Sequence, residues 1–194
     1  MTESAIKTQR IGNALVITFA RPEMRNPLSV SVIEDIERIL ATAEAEAWIE
    51  RIIFTGTDNV FASGADLREI AALSSVDAAA FSRRGQSLMQ KIDKLPQHSV
   101  AAVNGFCFGG ALDLALACDT RIATPSAQFA HPGANLGIIT GWGGTQRLPR
   151  LIGAANALEM FFSARPISAE QALKVGLIDA IADDVVPAAL ELSH

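Results

Sequence analysis

Residues 99–123 read SVAAVNGFCFGGALDLALACDTRIA, and this stretch decides the fold class. Ser99 to Val103 is a short run of small and apolar residues, the pattern of a strand buried on both faces. Asn104-Gly105 punctuates it, and a run of small residues continues through Ala111. Leu112 to Ala117 is rich in helix-forming Leu and Ala. Thr120 to Ala123 then returns to a short strand. Strands separated by helices indicate an α/β fold.

The same alternation extends outward in both directions. Ile6 to Arg10 and Ala14 to Phe19 form two extended runs about Gly12-Asn13, a predicted hairpin. Arg21 to Pro27 reads as a loop. A helix follows with Ser29 or Ser31 as its N-cap, because Val32, Ile33, Ile36, Ile39 and Leu40 recur at helical spacing. Arg51 to Thr55 is a second buried strand, followed by a predicted loop from Gly56 to Gly64 and a short helix from about Asp66 to Leu73. Val76 to Leu95 is helical and closed by Pro96. Further helices are expected at about Gly144 to Leu151, Ala154 to Ser163 and Ala169 to Lys174. The 194 residues suit one domain with no internal repeat or linker.

Composition narrows the function classes. The formal net charge of −5 argues against nucleic acid or an anionic membrane as the main partner. Cys107 and Cys118 are too few for a disulfide framework and lack metal-ligand spacing, so both are expected as buried thiols. No signal peptide or membrane-spanning run is visible, which makes the cytoplasm the default compartment. The three histidines, His98, His131 and His194, are well separated, so no metal site is expected. A glycine-framed serine elbow and the dinucleotide and phosphate-loop fingerprints are absent.

Two strand-to-helix junctions carry the chemistry: Phe61-Ala62-Ser63-Gly64-Ala65-Asp66-Leu67 and Val103 through Gly109-Gly110 to Asp113. Small residues there let a ligand approach the main chain. Amides at a helix start are unpaired by the helix and lie at its positive end. Two such amides converging on one point would stabilise charge on a carbonyl oxygen.

Together these segments resemble the enoyl-CoA hydratase/isomerase (crotonase) superfamily. The resemblance continues through Asn26-Pro27-Leu28, Phe129, Pro132, Leu136-Gly137, Gly143-Gly144-Thr145-Gln146-Arg147-Leu148-Pro149, and Ile167-Ser168-Ala169 to Gly176-Leu177. It implies a repeated ββα spiral core over residues 1–150, with 151–194 beginning a C-terminal helical region. It implies an acyl-CoA thioester whose carbonyl is held by the amides of Ala65 and Gly110. It also places Arg25 at CoA phosphates, and main chain around Ala62 and Leu67 at the adenine, with Ala65 between them in the CoA-binding segment. No cofactor beyond CoA as part of the substrate is implied, and association into a homotrimer or a pair of trimers is.

Hydratases of the superfamily use two glutamates. The first falls on Asp113, one methylene shorter, in an otherwise apolar helix where a lone acid is costly unless paired or functional. The second falls on Gly133. The expected reaction is hydration or isomerisation of an enoyl-CoA, and a single carboxylate shifts weight toward isomerisation or toward thioester hydrolysis; a catalytically silent CoA-binding or assembly subunit is the further alternative. His131, two residues from Gly133, is read first as a structural loop histidine and second as a group that could titrate near neutrality. Asn135 and Thr140 are candidates to orient a water, and Trp142, Phe106 and Phe108 to wall an acyl pocket. Asp119 and Arg121 are expected to brace the fold.

Overall fold

A computed structural model describes residues 4–192. In chain order the elements are β1 (Ile6–Ile11), β2 (Ala14–Phe19), β3 (Pro27–Leu28), α1 (Val30–Glu44), β4 (Arg51–Thr55), β5 (Val60–Ala62), β6 (Gly64–Ala65), α2 (Leu67–Ala72) and α3 (Ser75–Asp93). There follow β7 (His98–Val103), β8 (Phe106–Phe108), α4 (Gly110–Ala117), β9 (Thr120–Ala123), β10 (Gln128–Ala130), α5 (Gly144–Ile152) and α6 (Ala154–Ser163). The chain closes with β11 (Ile167–Ser168), α7 (Ala169–Lys174), β12 (Ala180–Ile181) and α8 (Val185–Leu190).

The main sheet has the order β1-β2-β4-β7-β9-β12, and a second sheet has the order β11-β10-β8-β5. All neighbours from β2 to β12 are parallel, whereas β1 pairs antiparallel with β2. Each of β4, β7 and β9 is followed by a strand of the second sheet and then by helix, so the ββα unit repeats. The second sheet is where the sequence reading falls short. The stretch expected as loop from Gly56 to Gly64 contains β5 and the start of β6, and β8 and β10 fall in other stretches not read as strand. These strands are two or three residues long, too short for a period of two to emerge from the pattern.

Alternation in the long strands divides the core. Ile52 and Phe54 of β4 face the main core with Ala101 and Val103 of β7, whereas Ile53, Val100, Ala102 and Ile122 face the other way. That opposite face is covered by Val185 and Ala189 of α8. Arg51 ties the covering down, donating from its guanidinium to the carbonyls of Leu190 and Leu192 at 2.6 Å each. Helix α1 is capped by Ser29, which accepts from Val32 N–H. Both cysteines are buried and free. Arg121 donates to the carbonyls of Cys118 and Leu177, and Asp119 accepts from Ser99, so both brace the fold. No helix of the described residues is long and apolar enough to cross a membrane.

The Asn104-Gly105 turn transfers the chain from the main sheet to the second. Asn104 accepts from Gly56 N–H and donates to Asp58 O, and Phe106 N–H donates to Asn59 O. A Cβ on Gly105 would lie against the Asn59 backbone, 2.8 Å from its Cα. Because backbone cannot move aside as a side-chain tip can, Gly105→Ala should destabilise the protein by about 2 kcal/mol or more. Urea unfolding followed by circular dichroism measures this; an unchanged midpoint would show that the turn has room.

Candidate active site

The two glycine-bearing junctions meet because neither carries a side chain at the crossing. Gly64 has φ +88, and a Cβ there would sit 2.6 Å from both Gly110 N and Phe108 O. Gly109 enters α4 at φ 56 and ψ −123, and its N–H donates to Ala130 O at 2.9 Å. A Cβ on Gly110 would lie 3.3 Å from Ala65 N. The amides of Ala65 and Gly110 are therefore neighbours. Gly110 is the first residue of α4, so its N–H has no acceptor within the helix. Asp66, the N-cap of α2, accepts from Arg68 N–H and pairs with its guanidinium at 2.7 Å. The Arg68 side-chain hydrogen bond, foremost, holds its carboxyl below the ordinary value.

Ala65 and Gly110 open onto a cavity of 280 Å³ that is also lined by Leu67, Asp113, His131 and Trp142. Ile70, Leu73 and Phe81 make much of the remaining wall apolar. A larger, more open groove of 840 Å³ adjoins it across Thr140, Gly141 and Trp142 and lacks the buried carboxyl. The enclosed cavity, not the larger groove, is where the reactive groups converge. Of the residues named from sequence, Ala65, Leu67, Gly110 and Asp113 come together on this wall. Ala62 is fully buried behind it, and Arg25 is exposed outside it, with its carbonyl accepting from Ser63 N–H. Thr140 and Trp142 join the wall, whereas Phe106 and Phe108 do not; those two rings pack on each other at 5.6 Å. Asn135 is exposed on the loop, and His194 lies outside the described residues.

Asp113 is 1% exposed. Thr140 Oγ1 donates to its Oδ2. Burial raises its pKa to about 7; the Thr140 hydrogen bond, the amides of Trp142 and Gly144 and the charge of Arg147 pull the other way but do not win. His131 is 3% exposed, and burial lowers its pKa to about 4. Its Nε2 stands 3.7 Å from Asp113 Oδ1. That distance alone suggests an ion pair, but the opposed pKa shifts disfavour the doubly charged state, so near neutrality the imidazole is uncharged. Among the described residues, Asp113 Oδ1 and both ring nitrogens of His131 have no hydrogen-bond partner.

Gly144 completes the site, and sequence reasoning gave it no role. A Cβ on it would run into Asp113 Oδ1 and lie 3.1 Å from His131 Cε1. Its signal was the Gly143-Gly144 pair at the start of α5. Trp142, which stands between the cavity and the open groove, packs on Gly110, where a Cβ would meet its ring at 2.5 Å. Among the described residues no cluster of three or more His, Cys, Asp or Glu could hold a metal ion.

These shifts have opposite consequences for stability. The Asp113 contribution is present below pH about 4 and is lost as pH rises through about 7, because the folded state favours the protonated acid. The His131 contribution is present above about 6.5 and is lost as pH falls through about 4. Asp113→Asn removes the first titration. It should therefore gain stability relative to the parent between pH 4 and 8, by on the order of a few kcal/mol, read from urea midpoints. Thr140→Val removes a hydrogen bond to the ionised carboxylate. The Asp113 titration, followed by carboxyl carbon NMR, should then move above its parent midpoint near 7; a downward shift would contradict the assigned contact.

The model of the enoyl-CoA hydratase/isomerase family matches residues 10–193. A Bacillus subtilis protein named a probable enoyl-CoA hydratase is 41% identical over 170 residues, covering 87% of this chain and 66% of that protein. A Clostridium acetobutylicum short-chain-enoyl-CoA hydratase is 33% identical over 176 residues, covering 90% of this chain and 67% of that protein. The crystal structure of an enoyl-CoA hydratase from Bacillus anthracis matches with a TM-score of 0.92 at 35% identity, covering 97% of this chain and 74% of that one. The chain thus spans roughly two thirds of the length of these two curated relatives. Its sequence over nearly its whole length and its fold agree, and the chain belongs to the enoyl-CoA hydratase/isomerase family.

Proposed function

We propose that this chain acts on an acyl-CoA thioester, holding an enolate oxygen between the N–H groups of Ala65 and Gly110 while Asp113 moves a proton. An enoyl-CoA is thereby hydrated or isomerised. One observation carries the reading: a buried carboxyl with a pKa of about 7 shares a 280 Å³ cavity with two adjacent main-chain amides. Polarising the thioester carbonyl lowers the cost of taking or giving a proton at the neighbouring carbon. An acid with a pKa near neutrality serves in both directions. The apolar wall of Ile70, Leu73 and Phe81 suits an acyl chain.

In this reading CoA runs past Ala62, Ala65 and Leu67, and Arg25 meets its phosphates. Support comes from the Arg25 carbonyl bonded to Ser63 N–H, which keeps that loop beside the segment. The reaction calls for no cofactor beyond CoA itself. Association into a trimer or a pair of trimers belongs to the same proposal, and the exposed Leu158 and Phe162 of α6 are apolar surface available to it.

Gly133, at the second glutamate position, leaves the particular reaction open. A Cβ there would lie 2.5 Å from the Ile138 carbonyl oxygen, so this loop conformation does not admit a glutamate without shifting. Thioester hydrolysis and silent CoA binding would use the same cavity, and product analysis of a small acyl-CoA panel distinguishes them. Asp113→Asn should lower enoyl-CoA turnover by about 10²- to 10⁴-fold while CoA-ester affinity, measured by calorimetry, stays close to the parent's. Turnover at the parental rate would remove Asp113 from the mechanism; a parent that binds but converts nothing would favour the silent subunit.

A further inference from the structure

We propose that His131 is the second proton-handling group of this site, the base that takes a proton from a water added to the enoyl thioester. This deepens the reading above and rests on its assignment of Asp113. The geometry is its basis. His131 lines the cavity opposite no carboxylate other than Asp113, because Gly133 contributes no side chain there. Both of its ring nitrogens and the facing Asp113 Oδ1 are buried and without partners among the described residues. Three orphaned polar atoms in one pocket are costly unless something polar enters. The 3.7 Å gap between Nε2 and Oδ1 is too long for a good direct hydrogen bond. A molecule donating to one and accepting from the other would satisfy both, as a bridging water does. Phe161 lies against the imidazole with centroids 5.1 Å apart, and Gly144 leaves just enough space beside Cε1. The ring is held in place rather than free to turn away.

The step balances without any further reagent. A water O–H bond breaks, its proton goes to a ring nitrogen of His131, and its oxygen bonds to the β-carbon of the enoyl group. The electron pair of the C=C bond moves to form the thioester enolate, whose oxygen lies between the amides of Ala65 and Gly110. Asp113 then gives its proton to the α-carbon. This leaves an imidazolium and a carboxylate facing each other, and return of the proton from His131 to Asp113 resets the site. One water has been added and nothing is oxidised or reduced. Burial keeps the resting ring uncharged and by itself makes it a weak base, so proton uptake depends on the charge that appears on Asp113 in the same step. The negative charge left on Asp113 as its proton departs stabilises the imidazolium beside it.

Two reactions separate the roles. Exchange of the α-protons of butyryl-CoA in D2O needs Asp113 and the two amides, whereas hydration of crotonyl-CoA needs the water as well. His131→Gln has similar size and polarity but cannot take a proton. It should lose hydration by about 100-fold or more and retain α-exchange within about threefold of the parent. His131→Asn, smaller and equally unable to accept a proton, repeats the comparison with different packing. Hydration by either variant at the parental rate overturns the proposal. So does equal loss of both reactions, which would mean that the ring merely positions Asp113. A parent that exchanges α-protons but does not hydrate also overturns it, while leaving the Asp113 reading intact. A parent that does neither sinks both.

Discussion

Two lengths of main chain approach each other at Gly64 and Gly110 so closely that no side chain fits between them. A Cβ on Gly64 would stand 2.6 Å from Gly110 N, well inside any van der Waals contact. This crossing sets the distance between β6 and the start of α4, and it brings the Ala65 and Gly110 amides side by side. The parallel pairing of β5 with β8, irregular between Val60 and Ala62, and of β8 with β10 joins the strands that lead into these junctions. The ββα repeat therefore does more than fill space. It delivers successive strand-to-helix junctions to one edge, where the helix start leaves donors unsatisfied.

Into that edge the fold inserts a carboxyl that water hardly reaches. Helix α4 is apolar throughout except for Asp113, and seven of its residues are buried. Such a helix places its acid in a medium that disfavours charge, and the Thr140 hydroxyl, the Trp142 and Gly144 amides and the Arg147 charge do not fully compensate. The cost is tolerated because hydrophobic packing on both faces of the main sheet supplies the stability. Buried polar groups kept at such expense are characteristic of sites that handle protons. The paired, opposite shifts of Asp113 and His131 follow from one cause, burial, acting on an acid and a base.

Much of this was legible in the residues. The long strands, the long helices and their α/β order follow from periodicity and apolar runs, and the two junctions follow from their glycines. The short strands of the second sheet did not show, because β5, β8 and β10 carry three residues each and borrow their stability from neighbours distant in sequence. Phe106 and Phe108 looked like pocket walls from sequence position, yet strand β8 turns them onto each other instead. The Gly143-Gly144 pair marks a position without a side chain, but that the missing volume lies beside Asp113 depends on contacts between distant segments.

Sequence by itself determined the alternation of strand and helix, the apolar character of α4 with its lone acid, and the family. These depend on residue type and spacing along the chain. Tertiary structure alone decided that Ala65 and Gly110 are neighbours, that Asp113 faces His131, and that Arg25 and Ala62 lie off the cavity wall. Those facts depend on which distant segments touch and how much water is excluded between them. A pKa of about 7 for a carboxyl is a property of that exclusion, not of the aspartate.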